Sequence, residues 1–152
     1  MDEPEFSLGI EEIIKQSGDS FAKYVGSKPQ ASLALNVLGY GLITKLGLDI
    51  SPMVGVLMGV CFAKSTHTEY SLDKLTEKTS QKIASSDDRR VCRQNAIGNV
   101  FASQFCTMNC AAIATLGLLS QSYSFMIGAA GVGFVAYSRY IARSASDRFL
   151  QS

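Results

Sequence analysis

Polar and apolar residues follow one another along this chain in long blocks. Two blocks, residues 31–63 and 96–142, are almost free of charge, whereas the charged residues concentrate before residue 29, between 64 and 93, and after 138. Lys45 and Asp49 are the exceptions. A soluble helical domain would instead distribute its charges along the outer face of every helix. The pattern therefore predicts an all-α integral membrane protein.

Each apolar block is long enough for two membrane crossings joined by a short turn. The first runs from Ala31 to Leu48, breaks near Pro52 and resumes as far as Ala63, and the second breaks at residues 120–123. A helix spans the roughly 30 Å of hydrocarbon with about 20 residues. The second arm of the first block is shorter and must thin the bilayer, include flanking polar residues by snorkelling, or stop partway across. We expect four transmembrane helices, arranged as two helical hairpins.

The same pattern divides the chain into five parts. The N-terminal part has apolar residues at helical spacing and acidic residues elsewhere, so it would dock on the protein or lie in the membrane interface. In the central part, Thr66 stands three residues before Glu69, which is typical of a capping box that starts a helix. The five parts are an amphipathic helix over 1–28, a first transmembrane hairpin over 29–64, a polar central loop or helix over 65–95, a second transmembrane hairpin over 96–142 and a C-terminal tail over 143–152.

The distribution of basic residues predicts an orientation. If both blocks are hairpins, the two termini and the central part share one side of the membrane. That side holds 13 of the 14 Lys and Arg residues, and the turns hold only Lys45. By the positive-inside rule, we expect both termini on the cytoplasm-equivalent side. The acidic start of the chain does not have the pattern of a targeting peptide, so the endoplasmic reticulum, the mitochondrial inner membrane and a bacterial inner membrane are all compatible hosts.

Short glycine-containing motifs occur in both blocks. Residues 43–48 read ITKLGL and residues 113–118 read IATLGL. A tandem repeat of one hairpin and chance likeness between glycine-rich stretches both account for this match. Small residues four apart also let helix backbones approach closely in lipid, within one bundle, in a homodimer or against a partner subunit. The helix-packing residues that this spacing predicts are Gly55, Gly59, Ala129 and Gly133.

The third predicted crossing carries a polar face. Its members recur every three or four residues, at Asn95, Asn99, Ser103, Cys106 and Cys110. Unpaired amides in hydrocarbon cost several kcal/mol, so this face must point inward. Hydrogen bonds between helices are one explanation, and a water-filled path is the other.

No motif predicts catalysis or a bound cofactor. The sequence lacks the nucleophile-elbow, zinc-protease and phosphate-loop patterns. Its four cysteines include no CxxC pair and His67 is the only histidine, so a zinc site is not expected. We therefore predict no catalytic residue, no cofactor and no metal ion. Ion-coupled transport is also disfavoured, because no ionisable residue stands in the middle of a predicted crossing.

The cysteines are expected to differ in accessibility. Cys61, Cys106 and Cys110 lie in apolar segments and are predicted to be small buried hydrophobic residues. Cys92 lies in the basic central part and is predicted to be an accessible thiol.

Two families share features with this chain. Two hairpins around a polar stretch resemble the layout of reticulon-type membrane-shaping proteins, which implies wedge-like hairpins that crowd one leaflet. Residues 124–138, SFMIGAAGVGFVAYS, together with Asp87, Asp88 and Asn95, are similar to the four-helix preprotein translocase family of the mitochondrial inner membrane. The central part is longer than in that family, and no functional residue is carried over.

These observations predict a function carried out by helix packing. We expect a non-enzymatic scaffold, assembly or membrane-shaping component. Its expected partners are membrane lipids and either other membrane protein subunits or copies of itself, and the net charge of +1 gives no reason to expect nucleic acid. The alternative is a channel or translocase-like component that uses the polar face of the third helix. A soluble all-helical protein is the third interpretation.

Overall fold

The described part of the chain is helical apart from short connections. The structure, a computed structural model, describes residues 29–81 and 85–150, together with Glu12, Lys15 and Gln16. The predicted amphipathic helix over 1–28 thus lies almost wholly outside the described residues. Over the two long described ranges, the all-α prediction is confirmed. Their helices are α1 (Pro29–Ile50), α2 (Pro52–Gln81), α3 (Ser86–Ser120) and α4 (Tyr123–Leu150).

Three helices of the described chain are long and apolar enough to cross a membrane. They are α1 over its full length, α3, and α4 from Tyr123 to Arg143. Their length and composition are consistent with an integral membrane protein. α2 differs because its continuous apolar stretch ends at Ala63, after which Lys64 begins a mostly polar half.

The two breaks in the apolar blocks are confirmed. Pro52 occupies the first position of α2, where a missing backbone N–H costs no helical hydrogen bond. At the second break, Gln121 adopts the left-handed conformation, with φ of 51° and ψ of 37°. The Ser122 N–H then donates to the Gly117 carbonyl at 3.1 Å. This left-handed ending satisfies carbonyls at the end of α3 and turns the chain towards α4.

The helix start predicted at Thr66 is wrong. α2 runs without interruption from Pro52 to Gln81, because no glycine or proline stands between Lys64 and Gln81 to end it. The Thr66 hydroxyl donates to the Phe62 carbonyl, one turn earlier, at 2.8 Å. The polar part of the chain is therefore the second half of a long helix.

The next helix starts earlier than the predicted third crossing. Ser85 caps α3 by accepting a hydrogen bond from the Asp88 N–H at 3.2 Å, and Asp87 and Asp88 place negative charge in the first turn. α4 likewise continues as a helix to Leu150, through most of the predicted tail.

α4 is the central helix of the described fold. It packs most extensively against α3 and then against α1, whereas α2 packs mainly on α1. The closest approach of α1 and α4 is at Gly39 and Gly131. A methyl group on Gly39 would lie 2.6 Å from the Gly131 carbonyl oxygen, so only glycine permits this spacing.

Consecutive helices run antiparallel. Gly47 of α1 lies against Gly55 near the start of α2, and further along Tyr40 stacks on Phe62, with ring centroids 4.6 Å apart. Gly117 of α3 lies against Met126 of α4 in the same way. Gly47 and Gly117 occupy equivalent positions in the two similar motifs, and both lie where the helices come close.

The prediction for the cysteines is wrong at two positions. Cys92 is only 1% exposed, because α3 begins at Ser86 and places this residue inside the bundle. Cys61 is exposed on the outer face of α2. Cys106 and Cys110 are half-buried, and all four thiols are free.

Candidate functional site: a buried polar cluster

A buried arginine is the centre of the most polar region inside the bundle. Arg139 of α4 is only 2% exposed. Its Nη1 donates to Asn99 Oδ1 of α3 at 3.1 Å. Its Nη2 donates to Ser32 Oγ of α1 at 2.8 Å and to Asp73 Oδ2 of α2 at 3.3 Å. One side chain therefore contacts all three other helices of the described bundle.

A second carboxylate lies beside the first. Glu69 Oε2 is 3.7 Å from Arg139 Nη2 and accepts a hydrogen bond from Asn36 Nδ2 at 2.6 Å. Its other oxygen, Oε1, accepts from the Tyr40 hydroxyl at 2.9 Å. Each carboxylate oxygen of Glu69 thus has a donor from α1, and the guanidinium lies between Glu69 and Asp73.

We call this group the Arg139 cluster. Helical periodicity assembles it, since residues four apart lie on one face of a helix. The cluster lies where the earlier parts of α1 and α3 meet the later halves of α2 and α4. Its members are Ser32, Asn36 and Tyr40 of α1, Glu69 and Asp73 of α2, Asn99 of α3, and Ser138 and Arg139 of α4.

Two serines tie α1 to α4 beneath the guanidinium. The Ser138 hydroxyl donates to the Ser32 carbonyl at 3.0 Å, and the two hydroxyls are 2.9 Å apart. Three buried atoms, Asn36 Oδ1, Asn99 Nδ2 and Arg139 Nε, have no hydrogen-bond partner among the described residues. A buried polar group without a partner costs about 1–3 kcal/mol, so the cluster is not optimised for stability alone.

Burial and the neighbouring charges act on Glu69 in opposite directions. One guanidinium faces two carboxylates, so the cluster has an excess negative charge when both are ionised. Burial raises the pKa of Glu69, because the charged form loses hydration, while Arg139 and the Tyr40 hydroxyl act in the opposite direction. Removing the guanidinium from such a buried set would leave both carboxylates uncompensated.

The predicted polar face of α3 points into the bundle. Asn99 is buried and binds Arg139, and Asn95 Nδ2 donates to Thr76 Oγ1 of α2 at 3.4 Å. Ser103 is buried as well, but its hydroxyl donates to the Val100 carbonyl of its own helix. The Cys110 thiol donates to the Ala129 carbonyl of α4 at 3.2 Å.

The four predicted packing residues lie in two separate helix contacts. A methyl group on Gly55 would clash with Leu48 of α1, whereas one on Gly59 would lie 3.5 Å from Thr44 in ordinary contact. Ala129 is buried against α3, and a methyl group on Gly133 would lie 3.4 Å from Cys110 Sγ. These residues thus lie at helix contacts within the chain, and none of them takes part in the backbone contact between Gly39 and Gly131.

No three His, Cys, Asp or Glu side chains of the described chain come together as a metal site. No family model, curated protein or solved structure matches the chain. The two resemblances seen in the sequence therefore assign no family to this chain.

Proposed function

We propose that this chain is a non-enzymatic integral membrane protein that acts as a scaffold, assembly or membrane-shaping component through helix packing. One observation carries the proposal: the polar side chains of the bundle face one another, while large apolar side chains face outward. The polar face of α3 is used for contacts to α2 and α4. The outer surface is then the part of the molecule left for lipids and partner proteins.

The outer surface supports this proposal in detail. Phe101 and Phe105 of α3 are 68% and 69% exposed, and Met53 and Val60 of α2 are similarly exposed. Soluble monomers rarely expose contiguous apolar patches of this kind. In a bilayer the same side chains contact acyl chains or the helices of another subunit at no cost in hydration.

We also propose that α2 makes a short fourth crossing, so that the chain forms two transmembrane hairpins. Residues 52–63 cover about 18 Å and residues 52–68 about 25 Å at the helical rise, so the crossing needs local thinning or snorkelling. Its antiparallel packing on α1 supports this arrangement. So does the hydrogen bond from Ser124 to Asp49 at 2.7 Å, which joins the two turns at one end of the bundle.

Site-directed labelling tests the crossings. All four cysteines are replaced by alanine, and one cysteine is introduced at Met53, Ser71 or Ser120, each of which is exposed. With an impermeant maleimide and sealed vesicles, we expect Ser71→Cys to react from the cytoplasm-equivalent side. Met53→Cys and Ser120→Cys should react from the other side. Reaction of Met53→Cys and Ser71→Cys from the same side would disprove a fourth crossing.

The scaffold function is tested through the size of the assembly in native membranes. We expect the wild-type protein to migrate on a native gel as a complex larger than one chain, and Phe101→Ala with Phe105→Ala to shift it towards the monomer. Thermal stability should change little, because these rings are mostly exposed. Phe62→Ala is the control, since it removes an internal stacking contact and should lower stability. A wild-type protein that is monomeric in native membranes would contradict the proposal.

A channel or translocase-like role is the second candidate. A groove between α3 and α4 favours it, because the small polar residues Ser103, Thr107 and Cys110 line one wall. If this groove conducts water or a substrate, a small water-soluble thiol reagent should modify Cys110 in native membranes. Protection of Cys110 from that reagent would favour the packing role.

A further inference from the structure

The groove between α3 and α4 has the form of a binding site for an elongated apolar molecule. Its volume is about 850 Å³, within the usual range for small-molecule sites. Gly133 and Ala111 are among the small residues that line it, and Met108 and Tyr137 are among the large ones. Among the described residues that line it, Arg143 alone carries a charge.

The groove is as long as one leaflet of a bilayer. Along α4 its lining runs from Gly133 to Arg143, and along α3 from Ser103 to Ala114. Ten or eleven helical residues cover about 15–16 Å, which is half of the roughly 30 Å hydrocarbon core. An extended acyl chain of a single leaflet has this reach.

The charged end of the groove lies where lipid headgroups are expected. α3 and α4 are antiparallel, so Arg143 and Ser103 are at the same end of the groove, and the Arg139 cluster lies at this end too. The basic segments of the chain are predicted on this side. Tyr137 and Tyr140 also line the groove, and tyrosines are enriched at the membrane interface.

We propose that this groove binds one anionic phospholipid of the cytoplasm-equivalent leaflet. An acyl chain lies on Gly133, Ala111 and their small neighbours, and the phosphate lies beside the Arg143 guanidinium. Charge complementarity selects an anionic headgroup over a zwitterionic one. The inference rests on the proposed membrane insertion and adds a specific ligand class to it.

Photocrosslinking of the full chain in phosphatidylcholine vesicles tests the site. A small share of phosphatidylglycerol carries a diazirine midway along one acyl chain, and a parallel sample uses phosphatidylcholine with the same diazirine. Mass spectrometry maps the adducts. We expect the ratio of phosphatidylglycerol to phosphatidylcholine adducts to be higher at Met108 and Ala111 than at Val60 of α2, which is exposed outside the groove.

Two variants, each with a matched control, distinguish a specific binding site from ordinary lipid contact. Arg143→Gln should lower the adduct ratio in the groove roughly fivefold, whereas Lys78→Gln on α2 should leave it unchanged. Ala111→Phe should reduce groove adducts from both probes by filling the groove. Ala112→Phe, at an exposed position outside the lining, is its matched control.

Each outcome has a defined meaning. Equal ratios in the groove and at Val60, or a ratio that Arg143→Gln does not change, would overturn the proposal. Adducts at Val60 with none in the groove would also overturn it and would indicate that another helix covers the groove. Vesicle flotation is measured first: a chain that does not float with the vesicles refutes membrane insertion itself, which distinguishes that failure from failure of the lipid site.

Discussion

Arg139 donates a hydrogen bond to Asp73 at 3.3 Å, although 66 residues separate them in the chain. This contact matters for α2, which otherwise packs mainly on α1 and touches α4 at few points. Together with the bonds from Asn36 and Tyr40 to Glu69, it holds the polar half of α2 against the bundle. The cluster therefore positions α2, the helix of the described bundle with the least packing against the other helices.

Replacing Arg139 should destabilise the bundle strongly. Arg139→Met keeps an unbranched apolar stem but leaves two partly buried carboxylates without their cation. Losing one partner of a buried ion pair costs about 3–5 kcal/mol. We expect the free energy of unfolding in detergent to fall by roughly that amount. Arg90→Met, at an exposed position of α3, should change it by less than about 0.5 kcal/mol.

Neutralising the two carboxylates should recover part of that loss. In the triple variant Arg139→Met, Glu69→Gln, Asp73→Asn, no uncompensated charge is left in the cluster. We expect the triple variant to be more stable than Arg139→Met alone, since residues in one network are not additive. A triple variant that is less stable than the single one would show that Arg139 acts through packing or hydrogen bonds alone.

Gly39→Ala and Gly41→Ala should have opposite effects on stability, because only Gly39 lies at a close contact between α1 and α4. In Gly39→Ala the new methyl group would meet the Gly131 carbonyl oxygen and the Val135 side chain, so α1 and α4 must move apart. Such overpacking costs about 1–3 kcal/mol. Gly41→Ala is the matched control, because no atom lies within 4 Å of the added methyl group, and it should stabilise α1 by roughly 0.5–1 kcal/mol. Equal effects of the two substitutions in thermal unfolding would rule out the close contact.

Sequence periodicity predicted the helices and the inward direction of the α3 polar face, because both depend on local spacing. It did not predict the Arg139 cluster. Ser32, Asn36 and Tyr40 do recur every four residues on α1, and Glu69 and Asp73 do so on α2. The sequence pattern places Glu69 and Asp73 in a separate central polar part rather than in the same helix as residues 52–63. It therefore indicates no partner for Arg139. Pairing between distant helices is a tertiary relationship that a local pattern does not encode.

The two wrong cysteine predictions have the same cause, because neighbouring residues do not determine which face of a helix is buried. Cys92 stands among arginines, which indicates exposure, but a helix buries one face whatever its neighbours are. Cys61 stands among apolar residues, which indicates burial, but in a bilayer the outer face of a helix is apolar too. In a membrane protein, hydrophobicity predicts depth in the membrane better than it predicts burial in the protein.

Replacing Gln121, the left-handed residue between α3 and α4, by glycine should stabilise the protein. Gln121 has φ of 51°, a conformation that costs a residue with a side chain about 1 kcal/mol. Gln121→Gly should therefore raise the unfolding temperature, with the α3 and α4 contacts unchanged. Ser120→Gly, one residue earlier within the helix, should lower it by increasing the backbone entropy of the unfolded chain. A lower unfolding temperature for Gln121→Gly would show that the side chain of Gln121 is needed.

Stability should depend on pH through Glu69. Burial raises the pKa of Glu69 above its ordinary value of 4.5, so the folded chain binds this proton more tightly than the unfolded chain does. The associated stability is fully present below about pH 4.5 and is lost as pH rises through the raised pKa. Unfolding measured in detergent across this range should show stability falling with rising pH, and Glu69→Gln should remove that component.

Tyr40 provides a second readout of the same titration. Its hydroxyl donates to Glu69 and lowers the pKa of that carboxyl, so Tyr40→Phe should move the pH-dependent loss of stability to higher pH. Tyr137→Phe, on the other side of α4 in the groove, removes a hydroxyl that does not contact Glu69 and serves as the control. Glu69→Gln removes only one titratable group. If the pH dependence of stability is the same in this variant as in the wild-type protein, another group causes it.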